Sequence, residues 1–190
     1  MPRLRALIAV PAVLAALIVA LVAPTLAAAR PTPHRCAGVD AVPAKGKASA
    51  ARRSVLCLLN HERRARGLRS LHSDERLREA ASKHSQHMAR AHFFDHTTPA
   101  GTSMTDRIRR TGYTRDAHRW SIGENIAWGT GTLASPRQIV DAWMHSAGHR
   151  ANILNGGFRE IGIGVAAGAP VRVAPAAGGA TFTTDFGARG

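Results

Sequence analysis

The sequence predicts a mixed α/β domain, of the α+β type, built around a small antiparallel sheet. Apolar residues recur at helical spacing through the middle of the chain, whereas β-rich segments appear only towards its end. Helices that precede late strands are typical of folds in which the two kinds of element are segregated. Without an N-terminal leader, about 160 residues remain, which is enough for one domain with its own core.

The N-terminal region has the layout of a secretory signal peptide. Arg3 and Arg5 precede an apolar run, and alanines at positions 27–29 form a cleavage box. We expect residues 1–29 to be removed and the protein to be secreted to the extracellular side. The alternative is an uncleaved membrane anchor with an extracytoplasmic domain, because the apolar run reaches the length of about 20 residues that spans a bilayer.

Residues 30–53 mix Pro, Gly, Ala and Lys without sustained periodicity, which predicts a linker or N-terminal arm. The arm contains Cys36, and the first predicted helix contains Cys57, the only other cysteine. Two cysteines in an exported chain favour a disulfide over a zinc site. Closing a loop of about 20 residues in this way would stabilise the fold by roughly 3 kcal/mol in the chain-entropy model.

Four helices are predicted from caps and apolar spacing. The first follows Ser54 and stops at Gly67, and the second begins at a Ser73 cap. The third is short and covers residues 103–111. The fourth covers residues 135–148, with serine at its cap, proline at its first helical position and glycine at its end.

Two strands are predicted near the C-terminus, at residues 160–166 and 180–187. In the second of them, Phe182 and Phe186 alternate with threonines. Alternation of this kind predicts that one face of the strand is buried and the other is not.

The charge of the chain favours anionic partners. The formal net charge is +14, and loss of the two leader arginines leaves +12. Such a charge suits wall polymers, acidic lipid headgroups or nucleic acid. No basic run alternates with aromatic residues, so the sequence does not predict a nucleic-acid groove.

Two motifs that would indicate an enzyme are incomplete. Residues 61–65, HERRA, have alanine where a zinc-protease helix needs its second histidine. Residues 101–105, GTSMT, lack the closing glycine of a nucleophile elbow and do not follow a strand. The sequence therefore predicts neither of these two enzyme classes.

Histidines and one glutamate are the remaining candidates for chemistry. His84 falls on the apolar stripe of the second helix, which predicts a core histidine with a hydrogen-bond partner, whereas His92 and His96 lie in the turn that follows. Glu124 is flanked by apolar residues and two tryptophans. A carboxylate there is either a buried structural acceptor or a site group with a raised pKa, and the sequence leaves both interpretations open.

Several motifs together resemble the CAP superfamily, which comprises cysteine-rich secretory, antigen 5 and pathogenesis-related 1 proteins. The similarity is greatest to its bacterial secreted, SCP-like branch, and it covers residues 54–188. The motifs are FFDHT, GENIAWG, IVDAWMHSAGHRANILNGGFREIGIGVA and TFTTDFG.

The resemblance implies a three-layer α-β-α sandwich with a central antiparallel sheet and an open cleft that holds zinc or another divalent cation in some members. Position by position, it places His96, Glu124 and His149 in this cleft as catalytic or metal-ligating residues. The second glutamate of the family falls on Ser146, so one carboxylate is missing. His₂Glu with an open position remains a sound ligand set for a metal, but the missing carboxylate removes the obvious general base.

We therefore expect a monomeric extracellular binding module whose cleft takes a divalent ion, a lipid or another small ligand. One alternative is a metal-dependent hydrolase acting on peptides or wall material, and another is adhesion of the basic surface to anionic wall polymers. Outside the cleft, His145 is predicted to lie on the surface, and Arg150, Asn152 and Asn155 are predicted to secure the loop after the fourth helix.

Overall fold

The computed structural model describes residues 36–173 and 178–190. The predicted signal peptide and the first residues of the predicted arm lie outside these described residues. In the described part of the chain, no helix combines the length and the apolar character needed to cross a membrane.

The described residues form five α-helices and four strands. The helices are α1 (Ala48–Arg64), α2 (Glu75–Ala91), α3 (Met104–Arg110), α4 (Pro136–His145) and α5 (Ala147–Ile153). The strands are β1 (His72–Ser73), β2 (Trp120–Gly129), β3 (Glu160–Ala167) and β4 (Ala180–Arg189), and a 3₁₀ turn (Gly131–Ala134) follows β2. The two strands expected from the sequence are present, and β1 and β2 were not predicted.

The sheet has the order β1-β3-β4-β2 and lies between two layers of helices. The pairs β3–β4 and β2–β4 are antiparallel, and only the two-residue β1 pairs in parallel, with β3. Helix α2 covers one face of β3 and β4, while α1 and α4 pack together on the opposite face. The three-layer α-β-α sandwich with a mainly antiparallel sheet is thereby confirmed.

The face covered by α1 and α4 carries the main apolar core. Trp143 of α4, Ile161 of β3 and Phe182 of β4 are all buried there. The rings of Phe158 and Phe186 stack with their centroids 5.6 Å apart. Because burial of apolar surface is the dominant favourable term in folding, we expect this layer to contribute strongly to stability.

The face covered by α2 is built differently, with glycines and polar side chains. A Cβ atom on Gly162 would lie 2.0 Å from the backbone of Leu77, and one on Gly164 would lie 2.1 Å from the backbone of Ala81. The absence of side chains at these two positions therefore lets α2 approach the sheet closely. Ser85 of α2 donates a hydrogen bond to Thr183 of β4 at 2.9 Å.

The expectation that β4 is buried on one face only was wrong. Residues 180–187 are all buried, threonines included, because β4 is an inner strand with helices on both sides. Two helix boundaries also differ from the sequence prediction. Asp74, not Ser73, caps α2, and α4 ends at His145 rather than at Gly148.

The N-terminal arm is tied to the domain. The predicted Cys36–Cys57 disulfide is confirmed, and Ser54 donates a hydrogen bond to the carbonyl of Ala37 at 2.7 Å. Arg137 of α4 pairs with Asp40 of the arm at 2.6 Å. Helix α1 begins at residue 48, inside the predicted arm, so the arm joins directly into the first helix.

Candidate functional site

Three segments meet at the open edge of strand β2. The chain leaves α2 through His92, whose left-handed backbone (φ 53°) turns it towards this edge, and His96 follows in the turn. Strand β2 is the outer strand of the sheet and supplies Glu124. Helix α5, which supplies His149, packs against the same strand.

Glu124 is the centre of the site. Its side chain is only 2% exposed, and one oxygen, Oε1, lies 2.7 Å from Nδ1 of His96. The other oxygen accepts a hydrogen bond from Arg107 of α3 at 2.5 Å. Arg107 also donates to the carbonyl of His96 at 2.7 Å, so the arginine fixes both members of the pair.

These contacts set the charge of the pair. The hydrogen bond to Glu124 raises the pKa of His96 above its ordinary value. Burial by itself would raise the pKa of the Glu124 carboxyl, but the hydrogen bond from His96 and the charge of Arg107 outweigh burial and lower it. Glu124 is consequently an ionised, buried acceptor, and the raised pKa that the sequence left open does not occur.

His149 lies in α5, close enough to His96 for the charge of His96 to affect the pKa of His149. Burial lowers the pKa of His149, and the charge of His96 lowers it further. Asn125 donates to the carbonyl of His149 at 3.0 Å, and Asn152 donates to the carbonyl of Glu124 at 3.1 Å. These amides join α5 to β2, so Asn152 lies in a helix and not in the loop that it was predicted to secure.

Ser146 and His145 take no part in the His96–Glu124 pair. Ser146 is the residue at which α4 ends and α5 begins, with extended backbone. His145 is exposed, and its Nδ1 lies 2.8 Å from the carbonyl oxygen of Asp141, one helical turn earlier. The break at Ser146 places His149 on a new helix axis, which is why it leaves the line of α4.

Sequence reasoning missed Arg107 and Asp185. Asp185 of β4 is directly opposite Glu124 in the sheet and is fully buried. Its two oxygens have no hydrogen-bond donor among the described residues, while burial and the charge of Glu124 raise the pKa of Asp185 well above its ordinary value. The alternation in residues 180–187 places Asp185 on the face that was predicted to be exposed, so no local signal indicated this buried carboxyl.

The geometry does not fit the three-ligand metal set. Both oxygens of Glu124 are already bonded, one to His96 and one to the guanidinium of Arg107. Within residues 36–173 and 178–190, no group of three or more His, Cys, Asp or Glu side chains has the arrangement of a metal site. The imidazoles of His96 and His149 remain as candidate ligands, and Glu124 orients the imidazole of His96.

His84 behaves as the sequence predicted. It is 1% exposed, and its Nε2 lies 3.0 Å from the carbonyl oxygen of Asp95. Burial lowers the pKa of His84 to about 4. This histidine is therefore neutral at physiological pH.

Comparison with known proteins assigns a family. The profile described as CAP, the cysteine-rich secretory protein family, matches residues 56–183. The uncharacterized protein YkwD of Bacillus subtilis (strain 168) is 40% identical over 121 residues, which are 64% of this chain and 44% of that protein. The chain matches less than half the length of the curated relatives.

Two solved structures have the same fold. An extracellular protein with an SCP domain from Bacillus anthracis str. Ames has a TM-score of 0.55 at 24% identity, over 73% of this chain and 42% of that one. An outer surface protein from Borrelia burgdorferi has a TM-score of 0.57 at 20% identity, over 74% of this chain and 93% of that one. At these identities the similarity establishes the fold alone.

Proposed function

This chain belongs to the cysteine-rich secretory protein (CAP) family, and we propose that it acts outside the cytoplasm as a binding module. The Cys36–Cys57 disulfide supports this location, because disulfides persist in oxidising compartments. The signal-peptide layout of residues 1–29 supports it as well. So does the similarity in fold to one extracellular and one outer-surface protein.

The proposed ligand of the cleft is a divalent cation held by His96 and His149. The observation that carries this proposal is the bond between Glu124 and His96 Nδ1 at 2.7 Å. When Nδ1 donates its proton to Glu124, the lone pair of neutral His96 is on Nε2, and the His96 side chain is 53% exposed. When bound, the ion would supply a positive charge able to hold an anionic or carbonyl group of a larger ligand.

Binding is preferred to hydrolysis because neither Glu124 nor Ser146 supplies a free carboxylate base in the cleft. Glu124 is bonded at both oxygens and is shielded from solvent. Ser146 occupies the position where the family has a second glutamate, and a serine hydroxyl does not take up protons at neutral pH.

Calorimetric titration of the purified, metal-free protein with Zn²⁺ tests the proposal. We expect micromolar or weaker binding by the wild type, loss of the signal in His96→Ala and His149→Ala, and tighter binding as the pH rises, since protons compete for the imidazoles. Glu124→Gln should retain binding with about 10–100-fold lower affinity, as expected for a residue that orients a ligand.

His145→Ala is the matched control, because His145 is exposed and lies only four residues before His149. This variant should bind Zn²⁺ as the wild type does. Absence of heat in the wild type, or equal heat in wild type and His149→Ala, would remove the cation from the proposed function.

A further inference from the structure

A groove of about 430 Å³ is lined by residues of α1, β1, α2 and β3. Its volume falls within the range of pockets that hold small molecules, roughly 300–1,000 Å³. In the strand order of the sheet, β1 is at one end and β2 is at the other. The groove therefore lies at the opposite edge of the sheet from the cleft of His96 and His149.

Three arginines give the groove its charge. Arg52 and Arg53 come from α1, and Arg78 comes from α2. Among the described residues that line the groove, Glu75 is the one acid, and its Oε2 accepts a hydrogen bond from Nε of Arg78 at 2.6 Å. Three arginines and one glutamate give the lining a formal charge of +2.

Two of these arginines have no acidic partner of their own. Neither Arg52 nor Arg53 forms an ion pair with an acid of the described residues. Burial lowers the pKa of Arg52, and the charge of Arg78 lowers it further, although the charge of Glu75 acts in the opposite direction. Like charges that two helices hold near each other repel, and an anion bound among them would offset the repulsion.

A phosphate monoester matches this lining in charge and in hydrogen bonding. At pH 7 it carries a charge of about −1.5 to −2 and has three strong acceptor oxygens. Guanidinium groups form paired hydrogen bonds with phosphate oxygens, and the exposed hydroxyls of Ser49 and Ser73 are further donors in the lining. We propose that the groove binds a small phosphate monoester, whose phosphate group is held by Arg52 and Arg53 of α1 and by Arg78 of α2.

Calorimetric titration of the purified protein with glycerol 3-phosphate tests this proposal. We expect saturable binding in the millimolar range, because ion pairs with partly exposed arginines are individually weak. The second pKa of a phosphate monoester is about 6, so the ligand loses charge between about pH 7.5 and about pH 5, and its affinity should fall about fivefold. Arginines stay charged at both pH values, and Glu75 stays ionised because its hydrogen bond with Arg78 lowers its pKa.

Dimethyl phosphate and glycerol are the comparison ligands. Dimethyl phosphate keeps a single charge throughout this pH range, so it should bind more weakly at the higher pH and show no dependence on pH. Glycerol, which has no phosphate, should give no saturable heat.

Arg52→Gln should weaken the binding of glycerol 3-phosphate about fivefold, because it removes one of the guanidinium groups. Arg64→Gln is the matched control, since Arg64 is exposed in the last turn of the same helix and does not line the groove. The two variants change the net charge equally, so a difference between them reports the groove and not the overall charge. Circular dichroism establishes that both are folded.

Glu75→Gln should strengthen binding, because it removes the acid that competes with the ligand for Arg78. A variant that only damaged the fold would not gain affinity. Glu62→Gln is the control for this gain, since Glu62 pairs with Arg66 outside the groove, and it should leave the affinity unchanged.

The proposal does not depend on a cation in the cleft, and His149→Ala should bind glycerol 3-phosphate as the wild type does. Absence of saturable heat with glycerol 3-phosphate, or equal affinity for this compound and dimethyl phosphate, would overturn the proposal. So would equal weakening in Arg52→Gln and Arg64→Gln, no gain in Glu75→Gln, or loss of binding in His149→Ala.

Discussion

The two faces of the sheet differ in chemistry although they share the strands β3 and β4. On the α1/α4 face, β4 presents Phe182 and Phe186 to a continuous apolar core. On the α2 face, the same strand presents Thr183 and Asp185, and β3 presents only glycine at positions 162 and 164. The apolar face provides stability, and this allows the opposite face to hold buried polar groups, which each cost free energy unless they are paired.

The largest change in the free energy of unfolding is expected for a substitution on the apolar face. Phe186→Ala should lower the free energy of unfolding by about 3–5 kcal/mol, because the ring is fully buried and stacks on Phe158. Urea denaturation measures this loss. Leu133→Ala is the control, since Leu133 is 61% exposed and should change stability by no more than about 0.5 kcal/mol. If Phe186→Ala lowers the free energy of unfolding by less than about 1 kcal/mol, the apolar face does not provide the stability assigned to it.

On the polar face, His84 should make stability depend on pH. Its pKa is about 4 in the folded protein and 6.5 in the unfolded chain, so the unfolded state binds more protons between these values. The contribution of His84 to the free energy of unfolding is therefore present above pH 6.5 and is lost as the pH falls towards 4. The loss amounts to about 3 kcal/mol, at 1.36 kcal/mol per unit of pKa difference.

Urea unfolding at pH 6.5 and at pH 4, compared between wild type and His84→Gln, isolates this contribution. The variant carries no titrating group at position 84, so its loss of stability over this interval should be smaller than that of the wild type. Identical pH dependence of the two proteins would show that His84 is not buried in its neutral form.

Close packing of α2 on the sheet predicts a smaller but distinct cost. Gly164→Ala should destabilise the protein by about 1–3 kcal/mol, because the new methyl group meets the backbone of Ala81 at 2.1 Å and α2 must move. Gly148→Ala is the matched substitution, with no atom within 4 Å and a helical position in α5. It should be neutral or stabilising by up to about 1 kcal/mol. Thermal unfolding of the two variants would separate these outcomes, and equal melting temperatures would argue against the close approach.

The smallest effect is expected at Asp185. Burial and the charge of the neighbouring Glu124 raise the pKa of this carboxyl well above its ordinary value, which favours its neutral form. Asp185→Asn keeps a neutral donor of similar size and should change the free energy of unfolding by less than about 1 kcal/mol. Urea denaturation at neutral pH measures this change in the free energy of unfolding. A much larger loss would indicate that Asp185 is ionised and paired in the native protein.

The sequence was most informative where one local rule decided the structure. Capping and apolar spacing located four of the five helices, and β-rich composition located β3 and β4. Strand β2 was missed because its glycine and asparagine are unfavourable in strands, and pairing with β4 along its whole length overrides that preference. The break at Ser146 was missed because the apolar stripe of α4 runs on towards Gly148.

For the site, the family resemblance led to the expectation that His96 and Glu124 lie together, whereas nothing in the sequence predicted the contacts of Arg107. His96 and Glu124 do meet, but no local pattern indicated that Arg107, in a different helix, would occupy the second oxygen of Glu124. That contact depends on how α3 packs beside the turn after α2, which is a long-range property of the fold. Because Arg107 occupies its second oxygen, Glu124 is placed to orient His96 and not to bind a metal.

¹⁵N NMR of the His96 ring measures whether Glu124 orients this imidazole. In the wild type we expect the neutral ring to carry its proton on Nδ1 and the pKa of His96 to lie above its ordinary value. Glu124→Gln should lower that pKa, because the charge of the acceptor is removed. A ring protonated on Nε2, with a pKa that Glu124→Gln leaves unchanged, would show that Glu124 does not orient His96.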